Sequence, residues 1–230
     1  MNKTVFIFIN GDFGELSFVK DLITQDDIII GCDGGTDRVY ELGLTPNLVV
    51  GDFDSATNIP SEVMAVDADS QQLIIVNDIK YYKFPKDKYN LDSELAIDKA
   101  IELRPRNIVI VNPIGLELDH VIGTLFLLSK NKYLNRNIKI ITKNQIIYYK
   151  STSFTIKVGV GDKISLMPIN DQAKVLKTTG LKYDLAVNKM QMQINAGVSN
   201  QLIDKIACVD MLSGGLLIVH HRRPSRIDML

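Results

Sequence analysis

The chain opens with apolar runs of four to six residues, each stopped by glycine or asparagine and followed by a stretch with helical spacing. Thr4 to Ile9 predicts a strand, Asn10-Gly11-Asp12 a turn, and Leu16 to Ile23 a short amphipathic helix. Ile28 to Cys32 predicts the next strand, ending at Asp33-Gly34-Gly35. Val39, Tyr40 and Leu42 then mark a helix closed by Gly43 and Pro46. Leu48 to Gly51 is a third strand, with Asp52-Phe53-Asp54-Ser55 directly behind it. Further on, Pro60 can open a helix, while Leu73 to Val76 and Lys80 to Phe84 read as strands. Leu91, Leu95, Ala96, Ala100 and Ile101 recur at helical spacing before Pro105. Ile108 to Val111 is a strand, and Leu118-Asp119-His120 opens an apolar helix reaching Leu128. Strands alternating with helices imply right-handed crossovers and a mainly parallel sheet.

After Ile138 to Ile141 the helical signal disappears. Short strand-like runs follow at Ile146 to Tyr149, Phe154 to Val158, Lys163 to Met167, Ala173 to Thr178, Met190 to Ile194, Ile206 to Met211 and Leu216 to His220. Gly159, Gly161, Gly180, Gly197 and Gly214-Gly215 punctuate them. The pattern predicts an α/β N-terminal domain over residues 1–143 and an all-β antiparallel sandwich over 144–230.

Composition changes this picture little, and charge changes it more. The 230 residues are 46% hydrophobic with a net charge of -1, enough for two ordinary cores. Up to residue 143 there are 15 basic and 21 acidic residues, against 11 and 6 beyond it, so the halves carry -6 and +5. An acidic first half suits a cation and argues against nucleic acid as a partner, and the basic charge of the second half is too diffuse for a nucleic-acid face. Cys32 and Cys208 lack C-x-x-C spacing, which supports neither a disulfide framework nor a zinc site and points to a reduced, cytoplasmic setting. The first apolar run is too short for a secretory signal, and no run is long enough to span a bilayer.

The candidate chemistry lies in acids that follow strands or open helices: Asp33, Asp52, Asp54, Asp87, Asp92 and Asp119. Ligands of α/β sheets gather past the carboxyl ends of the strands. Paired carboxylates there hold a cation, share a proton or splay into water. At any single position the ordinary preference of turns and helix starts for Asp explains the residue. The pair Asp52 and Asp54, directly behind a buried-type strand, points further, to a metal site. Oxygen-only ligands favour Mg2+, which keeps waters and substrate phosphates. A nucleotide is then the natural co-ligand, held at Gly34, Gly35 and Lys86 and by helix N-termini. An EF-hand is excluded, because counting from Asp52 the sixth and twelfth places hold Thr57 and Val63. An aspartyl-phosphate phosphatase stays as a weaker alternative. Neither a Walker loop nor a dinucleotide fingerprint is present.

Taken in order, Asp33-Gly34-Gly35, Gly43-Leu44-x-Pro46, Gly51-Asp52-Phe53-Asp54-Ser55, Lys86-Asp87, Asp92-x-Glu94, Leu118-Asp119-His120, Gly180-Leu181-Lys182-Tyr183 and Ser199-Asn200 resemble the thiamine pyrophosphokinase family. The resemblance spans roughly residues 10 to 200. It implies homodimeric transfer of pyrophosphate from ATP to thiamine, giving thiamine diphosphate and AMP. It also implies that Asp33, Asp52, Asp54 and Asp92 hold Mg2+ and the ATP phosphates. Asp54 and Asp92 are expected to carry the catalytic role, with Asp92 orienting or deprotonating the thiamine hydroxyl. Gly34, Gly35, Lys86, Asp87, Asp119 and His120 are expected on the ATP side, and Ser199 and Asn200 against thiamine at the dimer interface. The chain departs from the family pattern at Glu117, where an arginine usually precedes Leu-Asp-His. The loop from Lys86 to Glu94 is two residues longer than usual and lacks a threonine, so either Lys88 compensates or the loop is displaced. Milder departures are Thr124 for asparagine and Asn47 for aspartate. Two alternatives accompany this reading: a non-catalytic nucleotide- or thiamine-binding relative, and a pyrophosphokinase acting on another heterocyclic alcohol such as a pterin.

Overall fold

The computed structural model describes residues 3–11, 16–115, 117–157, 159–169, 172–185, 190–191, 197–225 and 228. The chain divides into two compact units, Met1–Thr124 with Ile140–Lys143 and Ser225–Leu230, and Leu125–Lys139 with Asn144–Pro224. Asp12, Val158 and the end of the run from Met190 to Ile194 lie outside the described residues.

In the first unit, β1 (Thr4–Phe8), β2 (Ile28–Cys32) and β3 (Leu48–Gly51) are buried at every position. Such uninterrupted burial is why they read as continuous apolar runs rather than alternating ones. Between them stand a 3-10 helix at Ser17–Leu22 and helix α1 (Gly35–Glu41). The segment expected as an amphipathic helix is thus the tighter form. Its six residues bury Phe18, Val19 and Leu22, and short helical pieces commonly adopt this geometry. A single turn, α2 (Ser61–Met64), precedes the hairpin of β4 (Gln72–Val76) and β5 (Ile79–Lys83). Lys83 closes that turn, its Nζ donating to the carbonyls of Val63, Met64 and Val66 at 3.3, 3.0 and 2.7 Å. Then come α3 (Asp92–Glu102), the wholly buried β6 (Asn107–Val111), α4 (Leu118–Leu127) and β7 (Ile138–Thr142).

The strand order in this unit is β7-β6-β1-β2-β3-β5-β4. β6, β1, β2, β3 and β5 run parallel, and β4 pairs antiparallel with β5. The parallel order brings the carboxyl ends of β2 and β3 side by side, since Cys32 pairs with Val50. Asp33 and Asp52 follow those two ends directly.

In the second unit most strands pair with partners far away in sequence. One sheet is ordered β13 (Asn200–Gln201), β10 (Lys163–Pro168), β15 (Leu216–His221), β8 (Gln145–Lys150). The other is ordered β12 (Met190–Gln191), β11 (Gln172–Thr179), β14 (Ile206–Ser213), β9 (Phe154–Lys157). Every pair is antiparallel. Ile164, Leu166 and Ile218 from the first sheet share one core with Ile156, Val175 and Val209 from the second, the arrangement of a sandwich. Strand β13 is two residues long, too short to leave a period in the sequence.

Gly35 is the closest approach of helix to sheet in the first unit: a Cβ there would collide with the Phe8 carbonyl oxygen. Backbone cannot yield as a side chain tip can. Gly35→Ala is expected to lower unfolding free energy by about 1–3 kcal/mol, read from the urea midpoint at unchanged slope.

Candidate active site

The strand-end loop behind β3 is held by three devices. Gly51 has no side chain, and a Cβ there would collide with Oδ1 of Asp33. That same oxygen accepts the backbone N–H of Phe53 at 2.9 Å. Phe53 lies at φ 69 and Asp33 at φ 46, both left-handed, a conformation that costs a non-glycine residue of order 1–3 kcal/mol. Phe53 offsets this by complete burial, packed with Val49, Val63 and Ile79 and edge-on to Tyr81 at a centroid distance of 6.3 Å. With Phe53 turned into the core, its two acidic neighbours are left at the cleft.

Helix α1 fastens the far side of the loop. Asp37 Oδ2 accepts the N–H and hydroxyl of Thr57, and Oδ1 accepts the N–H and side-chain amide of Asn58, all at 2.8 Å. These four bonds hold the Asp37 carboxyl below its ordinary pKa against a burial that raises it. The N–H of Gly34 donates to Ser55 Oγ at 3.1 Å.

The loop faces the first turn of α3 across a cleft of about 700 Å³, lined among others by Asp33, Asp52, Asp54, Lys86, Lys88 and Asp92. Lys88 Nζ lies 2.7 Å from Asp52 Oδ2 and 3.1 Å from Asp92 Oδ1. Lys86 Nζ lies 3.0 Å from Asp54 Oδ2 at the exposed rim. Burial, and then the neighbouring charge of Asp92, push the Asp33 carboxyl up to about 8. Burial also raises Asp92, against the pull of Lys88. Asp52 is partly buried too, but the hydrogen bonds from Lys88 and the Asp54 N–H hold it below the usual carboxylate range. The crowded carboxylates are therefore relieved in different ways. Asp52 pairs with a cation, burial favours the protonated forms of Asp33 and Asp92, and Asp54 lies at the exposed rim beside Lys86. Cys32, at the floor, is kept a thiol by burial and by the acids around it.

Among the described residues no three His, Cys, Asp or Glu side chains converge closely enough to hold a metal ion as they stand. The donor set nevertheless suits a hard cation. It is all oxygen and partly buried, and it carries more carboxylate than Lys88 alone neutralises.

The opposite wall carries Pro113, Gly115, Glu117, His120 and Thr124. His120 is an exposed residue at a helix start, its Nε2 3.6 Å from Glu117 Oε2. Thr124 is buried, its hydroxyl 3.4 Å from Ser93 Oγ. Asp87 and Asp119 are not among the residues lining the cleft; Asp119 Oδ1 accepts the N–H of His120 at 3.0 Å. Gly34 and Gly35 do not line it either. Their missing side chains admit Asn10 and the Phe8 carbonyl, so that α1 can lie against β1. Sequence reasoning overlooked Arg38, which does line the cleft and pairs with Glu41 at 2.7 Å. Its signal was a cation in the first helix after a strand-end acid.

Ser199 and Asn200 belong to the second unit. Asn200 is buried, and its amide pins Tyr183 on both sides, accepting its N–H at 3.1 Å and donating to its carbonyl at 2.8 Å. Ser199 is left-handed at φ 59, and its N–H donates to Ser165 Oγ at 3.0 Å. Two motifs far apart in the chain, Gly180 to Tyr183 and Ser199-Asn200, thus form one cluster. Tyr183 itself is half exposed.

An acidic cleft past the ends of parallel strands, rimmed by Lys86 and Arg38, defines an α/β enzyme site suited to a polyanionic substrate carried with a metal ion. Comparison with known proteins narrows this class. Residues 19–142 match the family model of the thiamin pyrophosphokinase catalytic domain, and residues 151–214 that of the thiamin pyrophosphokinase vitamin B1 binding domain. The chain therefore belongs to the thiamin pyrophosphokinase family and is an enzyme. Thiamine pyrophosphokinase of Bacillus subtilis (strain 168) is 28% identical over 219 residues, covering 94% of this chain and 98% of that protein. The crystal structure of thiamine pyrophosphokinase from Bacillus subtilis superposes with a TM-score of 0.76 at 25% identity, covering 95% of this chain and 99% of that one. Thiamin pyrophosphokinase from Candida albicans, at 17% identity, shares the fold with a TM-score of 0.76 over 95% of this chain and 90% of its own.

Two outcomes follow from the electrostatics. Asp33 binds its proton more tightly folded than unfolded, so the folded state holds more protons between its ordinary value of 3.8 and about 8. Stability of the metal-free protein should therefore receive a falling contribution as pH rises through that window. Asp33→Asn should remove this fall in urea titrations with chelator present. Asp37→Ala, which frees the loop carrying Asp54, should cost about 1–3 kcal/mol and raise hydrogen exchange at Thr57 and Asn58.

Proposed function

We propose that this enzyme transfers the terminal pyrophosphoryl group of ATP to the hydroxyethyl oxygen of thiamine, giving thiamine diphosphate and AMP. The observation that carries the reading is the acid cluster of Asp33, Asp52 and Asp92 at adjoining strand and helix ends, inside the span matching the catalytic-domain model. The match favours this reading over the binding-module and pterin alternatives.

The thiamine oxygen attacks the β-phosphorus, the bond from that phosphorus to the α,β-bridging oxygen breaks, and AMP leaves. Asp33, Asp52, Asp54 and Asp92 are the residues that would hold Mg2+, which would neutralise charge developing on the phosphates. Asp92 is the acceptor of the hydroxyl proton. Its place in the first turn of α3 keeps it fixed at the cleft. Lys86 and Arg38 offer positive charge to the phosphates at the cleft rim. Gly34, Gly35, Asp87, Asp119 and His120 complete the proposed ATP side, the two glycines by letting α1 approach β1.

The second domain, 144–230, would supply the thiamine site through Ser199 and Asn200 and the surface of a homodimer. Support is the match of residues 151–214 to the vitamin B1 binding domain. In this reading 1–143 is the nucleotide and metal domain. The enzyme works in the cytoplasm, with neither nucleic acid nor membrane as partner. Cys32 and Cys208 are free thiols, and no helix among the described residues is long and apolar enough to cross a membrane.

Asp54→Asn should lower AMP formation on the order of a hundredfold at saturating Mg2+. Near-normal turnover would remove Asp54 from the metal site. Thiamine and hydroxymethylpterin compared under ATP and Mg2+ test the acceptor, with thiamine alone expected to release AMP.

A further inference from the structure

Lys88 sits in the stretch where this chain is two residues longer than the family pattern. Its neighbour Tyr89 is fully exposed, yet the Lys88 side chain is only 13% exposed, folded back from the loop into the cleft. There its ammonium stands 2.7 Å from Asp52 and 3.1 Å from Asp92, a place between two carboxylates that come from different elements. No other cation among the described residues pairs with either of them. Lys86, two residues earlier, pairs with Asp54 at the rim instead.

We propose that Lys88 is a counter-ion of this acidic site, which competes with the divalent cation for Asp52 and Asp92 and must leave before the metal can bind between them. The inference rests on the reading that these two acids bind metal. An ammonium offers hydrogen bonds to carboxylate oxygens, whereas Mg2+ takes the same oxygens as ligands and repels an ammonium beside it. The two cations cannot share the position. In the free protein Lys88 screens Asp52 from Asp92 and lowers affinity for metal alone. A nucleotide changes the balance by adding its own phosphate oxygens as ligands and by offering the released ammonium a new anion within reach of its four-carbon stem. Metal would thus enter with the nucleotide rather than ahead of it. The extended loop, whose tip makes no packing contact at Tyr89, lets Lys88 move without disturbing α3.

The test is Mn2+ binding to the nucleotide-free protein, followed by the loss of the free-ion electron paramagnetic resonance signal. Lys88→Met should bind Mn2+ at least about tenfold more tightly than wild type, since it removes a competing charge at contact distance. Lys88→Arg, which keeps the charge, should bind no more tightly than wild type. In the Lys88→Met background, Asp52→Asn should abolish the gain. Equal or weaker binding by Lys88→Met overturns the proposal, as does a gain that survives Asp52→Asn. If Lys88→Met is poorly folded without metal, thermal unfolding carries the same information: Mn2+ should raise its Tm more than that of wild type, and an equal or smaller rise overturns the proposal. Failure of Lys88→Met to gain affinity while Asp52→Asn alone still abolishes AMP formation overturns the role of Lys88 only. If Asp52→Asn also leaves AMP formation intact, the metal reading falls with it.

Discussion

Three carboxylates, Asp33, Asp52 and Asp92, crowd one ammonium at the meeting point of β2, β3 and α3, and the local structure is arranged around that excess of negative charge. In water the acids would separate. Here they cannot, because each is attached to an element whose position is set by a buried sheet. The charge is managed instead by a lysine between two of them, by burial that favours the protonated form of Asp33, and by hydrogen bonds from backbone N–H groups. Such a site is poised to accept a cation, since a divalent ion would relieve repulsion that folding has already imposed.

Strain is distributed along the same elements. Asp33 and Phe53 are left-handed without being glycine, and Gly51 gives up its side chain so that the Asp33 carboxylate can lie over the strand end. What over-determines the loop is the burial of Phe53 against Tyr81 on one side and the four bonds of Asp37 on the other. A rigid loop keeps Asp52 and Asp54 in place without a bound ion, and preorganised charge is worth more to a reaction than charge that must be gathered during it. The exposed residues follow a different logic. Glu117 and His120 are both exposed, with 3.6 Å between Oε2 and Nε2.

The second unit makes the same kind of economy with a neutral group. Asn200 accepts the N–H groups of Tyr183 and Gln201 at Oδ1 and donates one amide N–H to the Tyr183 carbonyl. Its role in the structure is to fix the turn that presents Tyr183, while Ser199 takes the left-handed corner. The side chain of Asn200 therefore acts on that segment through backbone position.

Strand by strand, the apolar runs determined the architecture: runs of five and four residues followed by Asp33 and Asp52, helices between them, and glycine-punctuated strands after Thr142. This was legible because burial on both faces or one face leaves a period in the sequence that no other requirement erases. The Asp52-Phe53-Asp54 element was legible for the same reason, an alternation of core and cleft within three residues. Other features had no such trace. The two-residue strand at Asn200 is too short for a period. Asp87 and Asp119 share with Asp33 a position after a strand or at a helix start, yet they are not found lining the cleft, since facing direction depends on the crossover that follows. Lys88 and Arg38 are surface-type residues by any pattern, and only the return of their loop and helix over the strand ends makes them part of the site. Charge placement of this kind is a property of proximity between elements, and proximity is decided by packing in three dimensions rather than by order along the chain.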